Sequence, residues 1–249
     1  MRLRQLLDRH ADLVVGVRQG VLIGAAVLAV TLPPAGSATS RLAPRWSPAV
    51  AAALQIPEDP RVADFGEHAA SEDARLVADW VARRGDNQRL PFVILDKRDA
   101  RVFVFDAGAR LVDSSPVLLG AAAGDDSVVG IGQRPIAEVR PEERTTPAGR
   151  FVSQPGRNAS GEDVVWVDYN AAVSMHRVRP VDPKERRLER LASNDPSQRR
   201  ISYGCINVPV AFFDAVVKPV VGAQKAIVYV LPETRDVRSV FNGLGSSSG

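Results

Sequence analysis

The sequence predicts a mostly β fold with a few short helices, and three observations carry that reading. Five short runs are rich in Val, Ile, Phe, Trp and Tyr: 92–95, 101–105, 111–119, 164–167 and 227–231. Turn-forming residues separate them. No heptad pattern or internal repeat runs through the chain, which removes coiled coils and solenoids. At 249 residues, the chain has room for one or two domains and a full hydrophobic core.

Taken in order, residues 1–38 have the make-up of an export leader. Arg2, Arg4, Arg9 and Arg18 precede an uncharged stretch from Gly20 to Leu32, and Ala35, Gly36, Ser37 and Ala38 follow two prolines. That is a basic start, an apolar centre and a small-x-small site, with cleavage expected after Ala38. The apolar run falls short of the ~20 residues a membrane span needs, so export is favoured over an anchor. A retained leader would associate the chain with the inner membrane.

Residues 39–89 read as a Pro- and Ala-rich lead-in with one helix. Ser71 is the expected N-cap, Glu72 and Asp73 sit in the first turn, and Leu76, Val77, Trp80 and Val81 form an apolar stripe. Arg83 and Arg84 close the helix and Gly85 stops it. Residues 90–232 carry the β runs. Asp106, Gly108 and Ala109 mark a hairpin between the second and third runs, and the Gly- and Asp-rich stretch from Gly120 to Gly132 reads as a mobile loop. Residues 233–249 are expected to form a disordered tail, ending in Gly and Ser.

Charge narrows the partners only a little. Thirty-two Lys and Arg against 29 Asp and Glu leave +3, which suits an anionic polymer or surface without implying nucleic acid. The single cysteine excludes an internal disulfide framework and any zinc site drawing two ligands from cysteine. No metal or cofactor is expected. In an exported chain an odd thiol is a liability unless it is used.

That thiol, Cys205, follows Gly204 and precedes an apolar residue and Pro209, with Phe212, Phe213, Val216 and Val217 spaced for the buried face of a helix. A cysteine at the mouth of a helix would feel the positive end of the dipole, which favours the thiolate. The amides around Cys205 are candidate oxyanion donors. A thiolate nucleophile also needs an acid and base, which imidazole supplies near neutral pH. Of the three histidines, His10 lies in the leader and His68 in the lead-in. His176, at the end of the β-like stretch 166–175, is the candidate.

The stretch Ser202-Tyr203-Gly204-Cys205-Ile206-Asn207, with an upstream His, resembles the signature of the L,D-transpeptidase catalytic domain, in which Ser or Thr, His, Gly, Cys, an apolar residue and Arg or Asn occur in that order. Thr146-Pro147-Ala148-Gly149-Arg150-Phe151 resembles the family's Thr-Pro-x-Gly-x-Phe segment, and 92–119 resembles its opening strands. The resemblance implies a β-sandwich or barrel-like catalytic domain. It also implies that Cys205 attacks a peptidoglycan stem peptide at its diaminopimelate carbonyl and expels D-Ala, with His176 as acid and base. The backbone at Gly204, Cys205 and Tyr203 would hold the oxyanion. Ser202 and Asn207 would brace the turn or meet substrate.

Three departures stand out. Tyr203 replaces the motif's His, exchanging an imidazole for a phenol of pKa about 10. Arg177 and Val178 follow the upstream His, where the family has small residues. The 25 residues between His176 and Ser202 are more than the family usually has, and they carry eight basic against four acidic side chains. This insertion is either a lid, with Arg186, Arg187, Arg199 and Arg200 meeting the carboxylates of the stem, or a solvated helical face. Transfer to an acceptor amine, hydrolysis of the same acyl-enzyme, and a non-catalytic cell-wall-binding module on the same fold all stay open at this level. So does the oligomeric state.

Overall fold

The computed structural model describes residues 62–244. The leader, the first part of the lead-in and the last five residues lie outside this range, and with them the cleavage site and any membrane association through the N-terminal segment. Among the described residues, no helix is long and apolar enough to cross a membrane.

The core is one eight-stranded sheet. Its strands are β1 (Phe92–Asp96), β2 (Arg101–Phe105), β3 (Leu111–Pro116), β5 (Gly149–Arg157), β6 (Asp163–Asp168), β7 (Val173–Arg177), β9 (Ile206–Val208) and β10 (Ala226–Val230). They are ordered β3-β2-β1-β10-β5-β6-β7-β9, with β4 (Leu119–Gly120) and β8 (Arg200–Ser202) forming a separate parallel pair. Pairing is antiparallel except for β1 with β10 and β7 with β9. Just beyond β3, Leu118 bridges Asn207 of the far edge strand, so the sheet comes close to closing on itself. The architecture is the mostly β, barrel-like one that the sequence predicts.

Side-chain alternation divides the interior in two. Val93, Leu95, Val102, Val104, Val228 and Val230 face one core, together with Met175, Ile206 and Val208. Phe92, Ile94, Phe103, Phe105, Ile227 and Tyr229 face the other. Both faces of β1 and β10 are covered, which is why those strands read as unbroken apolar runs. A helical stretch over 210–220, here α3, covers the first core with Phe212, Phe213, Val216 and Val217 and contains a π turn at Phe213–Val217. Helix α1 (Glu72–Arg84) covers the second with Ala74, Val77, Ala78 and Val81. Its ends are those expected: Ser71 Oγ accepts from the Ala74 amide, and Gly85 takes the left-handed conformation at φ +65°.

Several expectations are corrected. Residues 233–244 are ordered rather than a loose tail: helix α4 (Val237–Val240) buries Val237, and Phe241 packs near Trp80 and Tyr229. The expected run 111–119 divides into β3 and β4. The loop after Gly120 is pinned rather than mobile, because Asp125 is buried and paired with the fully buried Lys97. Burial alone would raise the Asp125 carboxyl. Hydrogen bonds from Lys97, from Thr234 and from the 233 and 234 amides outweigh it and hold the group well below the usual carboxylate range.

Candidate active site

Strand alternation builds the site. On β7, Val173 and Met175 point into the core, so Ser174 and His176 share the opposite face. Parallel pairing sets His176 against Asn207 of β9, and Met175 against Ile206. Cys205 lies one residue ahead of β9 and is half-buried. It therefore meets the Ser174–His176 face, with Sγ 3.8 Å from Ser174 Oγ and 3.6 Å from the Ala172 carbonyl oxygen.

The His176 imidazole is oriented from both ends. Nδ1 lies 2.8 Å from the Arg177 carbonyl oxygen; a carbonyl only accepts, so Nδ1 carries the proton. Nε2 lies 3.2 Å from Asn207 Nδ2 and accepts from it. The resting ring thus keeps its lone pair on Nε2. Burial pulls the imidazole pKa down, but hydrogen bonding and charge interaction with Cys205 outweigh it and leave the pKa raised. Burial likewise pushes the thiol up, and His176 together with Ser174 brings it below its ordinary value. Opposite shifts in two interacting groups favour a thiolate–imidazolium pair.

The turn that holds the thiol is clamped at three points. Ser202 Oγ donates to the Cys205 carbonyl at 2.6 Å and accepts from the Gly204 amide at 3.1 Å. Thr146 Oγ1 donates to the Gly204 carbonyl at 2.9 Å and accepts from the Gly120 amide. Gly204 itself stands at φ +124°, and a Cβ there would come within 2.7 Å of the Thr145 carbonyl oxygen. Only glycine fits.

Several site residues stand differently from their expected roles. The Gly204 amide is engaged by Ser202 and is not free to hold an oxyanion, whereas no hydrogen bond among the described residues engages the Tyr203 or Cys205 amide. Strand β9 separates Cys205 from α3, so the thiol is not at a helix mouth and His176 takes over the role assigned to the dipole. The Tyr203 ring lies against the Arg144 guanidinium, 4.0 Å from the ring centroid, which places a cation beside the nucleophile turn.

Arg199 and Arg200 are held by contacts within the protein. Arg199 is buried and donates to the carbonyls of Ser193, Asp99 and Ala100. Arg200 pairs with Glu233 and donates to the Lys97 carbonyl. In the same insertion Arg186 pairs with Glu189, and Arg187 with Glu185 and Asn207. The four arginines named for a lid are thus engaged by the protein itself, three by carboxylates and Arg199 by carbonyls. The insertion's short helix α2 (Arg187–Ala192) is anchored by Leu191, which packs with Leu118 and Val178.

Ser174 is absent from the sequence reading, and Arg187 enters it only as one arginine of a lid meeting substrate, not as a contact of Asn207. Period-two alternation from His176 would have found Ser174; nothing in the spacing points to Arg187. Among the described residues, no group of three or more His, Cys, Asp or Glu side chains could hold a metal ion.

No protein-family model matches the chain, and no curated protein matches it. Solved structures do. The helical cell shape determining protein Pgp2 from Campylobacter jejuni is 16% identical, with a TM-score of 0.38 over 59% of this chain and 49% of its own. An L,D-transpeptidase from Xylanimonas cellulosilytica is 15% identical, at 0.36 over 57% and 60%. An L,D-transpeptidase from Mycobacterium smegmatis is 14% identical, at 0.34 over 56% and 58%. The match thus takes in roughly half to three fifths of those chains.

Proposed function

We propose that the chain is an exported cysteine acyltransferase that works on peptidoglycan stem peptides as an L,D-transpeptidase. The observation that carries the chemistry is the pairing of Cys205 with His176, in which each shifts the other's pKa toward the ionised form and the neutral imidazole is held so that Nε2 is the nitrogen that takes the proton. The substrate class comes from the resemblance of 202–207 and 146–151 to the family's segments.

The Cys205 thiolate adds to the diaminopimelate carbonyl of a tetrapeptide stem, and the Tyr203 and Cys205 amides stabilise the oxyanion. The carbon–nitrogen bond to D-Ala breaks as His176 delivers a proton to the departing amine, leaving a thioester on Cys205. An acceptor amine from a second stem then attacks the thioester. His176 takes its proton and the thiolate leaves. Ser202, Thr146 and Gly204 hold the turn in place throughout, a contribution of geometry rather than of bonding to substrate.

Mass spectrometry of stem-peptide products, with and without an acceptor amine, tests the reading. A cross-linked product that needs both acceptor and Cys205 is the expected result. Tripeptide release alone, with acceptor present, would make the enzyme a hydrolase on the same acyl-enzyme. Unchanged tetrapeptide would make the chain a binding module.

A further inference from the structure

The segment between His176 and Ser202 reaches the site at one point. Arg187, at the start of α2, has a side chain only 13% exposed. Its Nε pairs with Glu185 at 2.5 Å and its Nη1 donates to Asn207 Oδ1 at 2.6 Å. Asn207 is fully buried, and its other end, Nδ2, donates to His176 Nε2.

A side-chain amide has one accepting and one donating end, whereas a guanidinium only donates. With Arg187 in place, Oδ1 must face the guanidinium and Nδ2 must face the imidazole. The reversed amide would set donor against donor at Arg187 and acceptor against the Nε2 lone pair. Buried mismatches of that kind leave polar groups desolvated without a partner and are disfavoured. We propose that Arg187 is a positioning residue: through the Asn207 amide it holds His176 in the tautomer that carries its proton on Nδ1 and its lone pair on Nε2, the nitrogen that takes a proton.

The catalytic consequence rests on the acyl-transfer reading; the tautomer does not. The other ionisable groups that act on the ring are Cys205 on the nucleophile turn, Arg177 and Arg179 on and just after its own strand, and Glu162 ahead of β6. None of them contacts Asn207 Oδ1; Nδ2 also lies 3.5 Å from the Cys205 carbonyl oxygen, so Arg187 at 2.6 Å and that longer contact together set the orientation of the amide. Without the guanidinium the amide loses its shorter anchor and can turn; Oδ1 then accepts from an Nε2 proton in competition with the Nδ1–H bond to the Arg177 carbonyl, and in that fraction of molecules the base nitrogen is lost to a non-productive hydrogen bond.

Imidazole nitrogen-15 chemical shifts report the tautomer directly. They are best recorded in a Cys205→Ala background well above the ordinary imidazole pKa of about 6.5, so that the neutral ring is observed. The expected result is a single Nδ1-protonated tautomer with Arg187 present, a mixture in Arg187→Met, and recovery in Arg187→Lys, which keeps a donor at that place. With Cys205 intact, Arg187→Met should lower kcat for stem-peptide transfer about tenfold at unchanged KM, a part of what a positioned general base contributes.

An Nε2-protonated ring in the Arg187-containing protein would overturn the inference without any Arg187 variant having to fold. So would Arg187→Met with an unchanged tautomer and kcat. Absence of turnover in the wild-type protein would instead count against the acyl-transfer reading, and the nitrogen shifts would still decide the role of Arg187.

Discussion

At the scale of single residues, reactivity belongs to a pair. Cys205 has a lowered pKa and His176 a raised one. Raised His pKa means stability present at low pH and lost as pH rises through the folded value; lowered Cys pKa means stability gained above its folded value. The ion pair therefore weakens as pH falls through the folded value of the thiol and as pH rises through that of the imidazole. Iodoacetamide should alkylate Cys205 with a midpoint below the pKa of about 8.5 of a free thiol, and His176→Ala should move the midpoint back toward it. An unshifted wild-type profile would contradict the pairing. Thr146→Val should lower stability by about 1–3 kcal/mol, because it leaves a buried carbonyl and a buried amide without their partner, and it should slow alkylation by loosening the turn; equilibrium denaturation and the alkylation rate measure the two effects. Sequence singles out the candidate nucleophile and base, since a lone cysteine and one suitably placed histidine leave little choice. It gives no sight of the Arg187–Asn207 contact, which spans 20 positions, or of the occupied Gly204 amide, which depends on the local turn.

At the scale of elements, strands buried on both faces are the readable ones. β1, β2 and β10 are continuous apolar runs, and helix α1 carries its own caps, so local chemistry alone marks them. β5 escapes because Gln154, Pro155 and Gly156 look like a turn. In the structure this strand changes partner there, pairing with β10 over 149–153 and with β6 over 154–157, and Gly156 lets the Trp166 ring lie against the backbone. β9 escapes because three residues before a proline read as a helix entry. The contacts of the insertion's cations are hidden in sequence for a different reason: formal charge does not show which arginines find carboxylates and carbonyls at close range. The buried Lys97–Asp125 pair ties the loop after β4 to residues 233–235. Asp125→Asn leaves that ammonium with Glu233 at 3.5 Å as its remaining carboxylate and should cost about 3 kcal/mol. The Asp125 pKa is lowered, so its contribution is present above the ordinary carboxylate range and is lost as pH falls through the folded value. Chemical denaturation should accordingly find the wild type losing stability on acidification and the Asn variant losing less.

At the scale of the whole molecule, the sheet brings together segments far apart in sequence. β7 and β9 place base and nucleophile side by side, the Leu118–Asn207 bridge locks the far edge to the opening strands, and residues 233–244 seal the second core under α1. Truncation after residue 232 removes Val237 and Phe241 from that core. At about 1.5–3 kcal/mol for each fully buried side chain, it should lower the thermal midpoint markedly, and calorimetry would show it. The central claim is that Cys205 carries an acyl group taken from a stem peptide, and intact-mass spectrometry of the protein quenched in acid after brief mixing with tetrapeptide stem tests it most directly. The account predicts a mass increase equal to the stem less D-Ala, located on Cys205 and absent from Cys205→Ala. Protein that alkylates readily at Cys205 yet never gains that mass would contradict it.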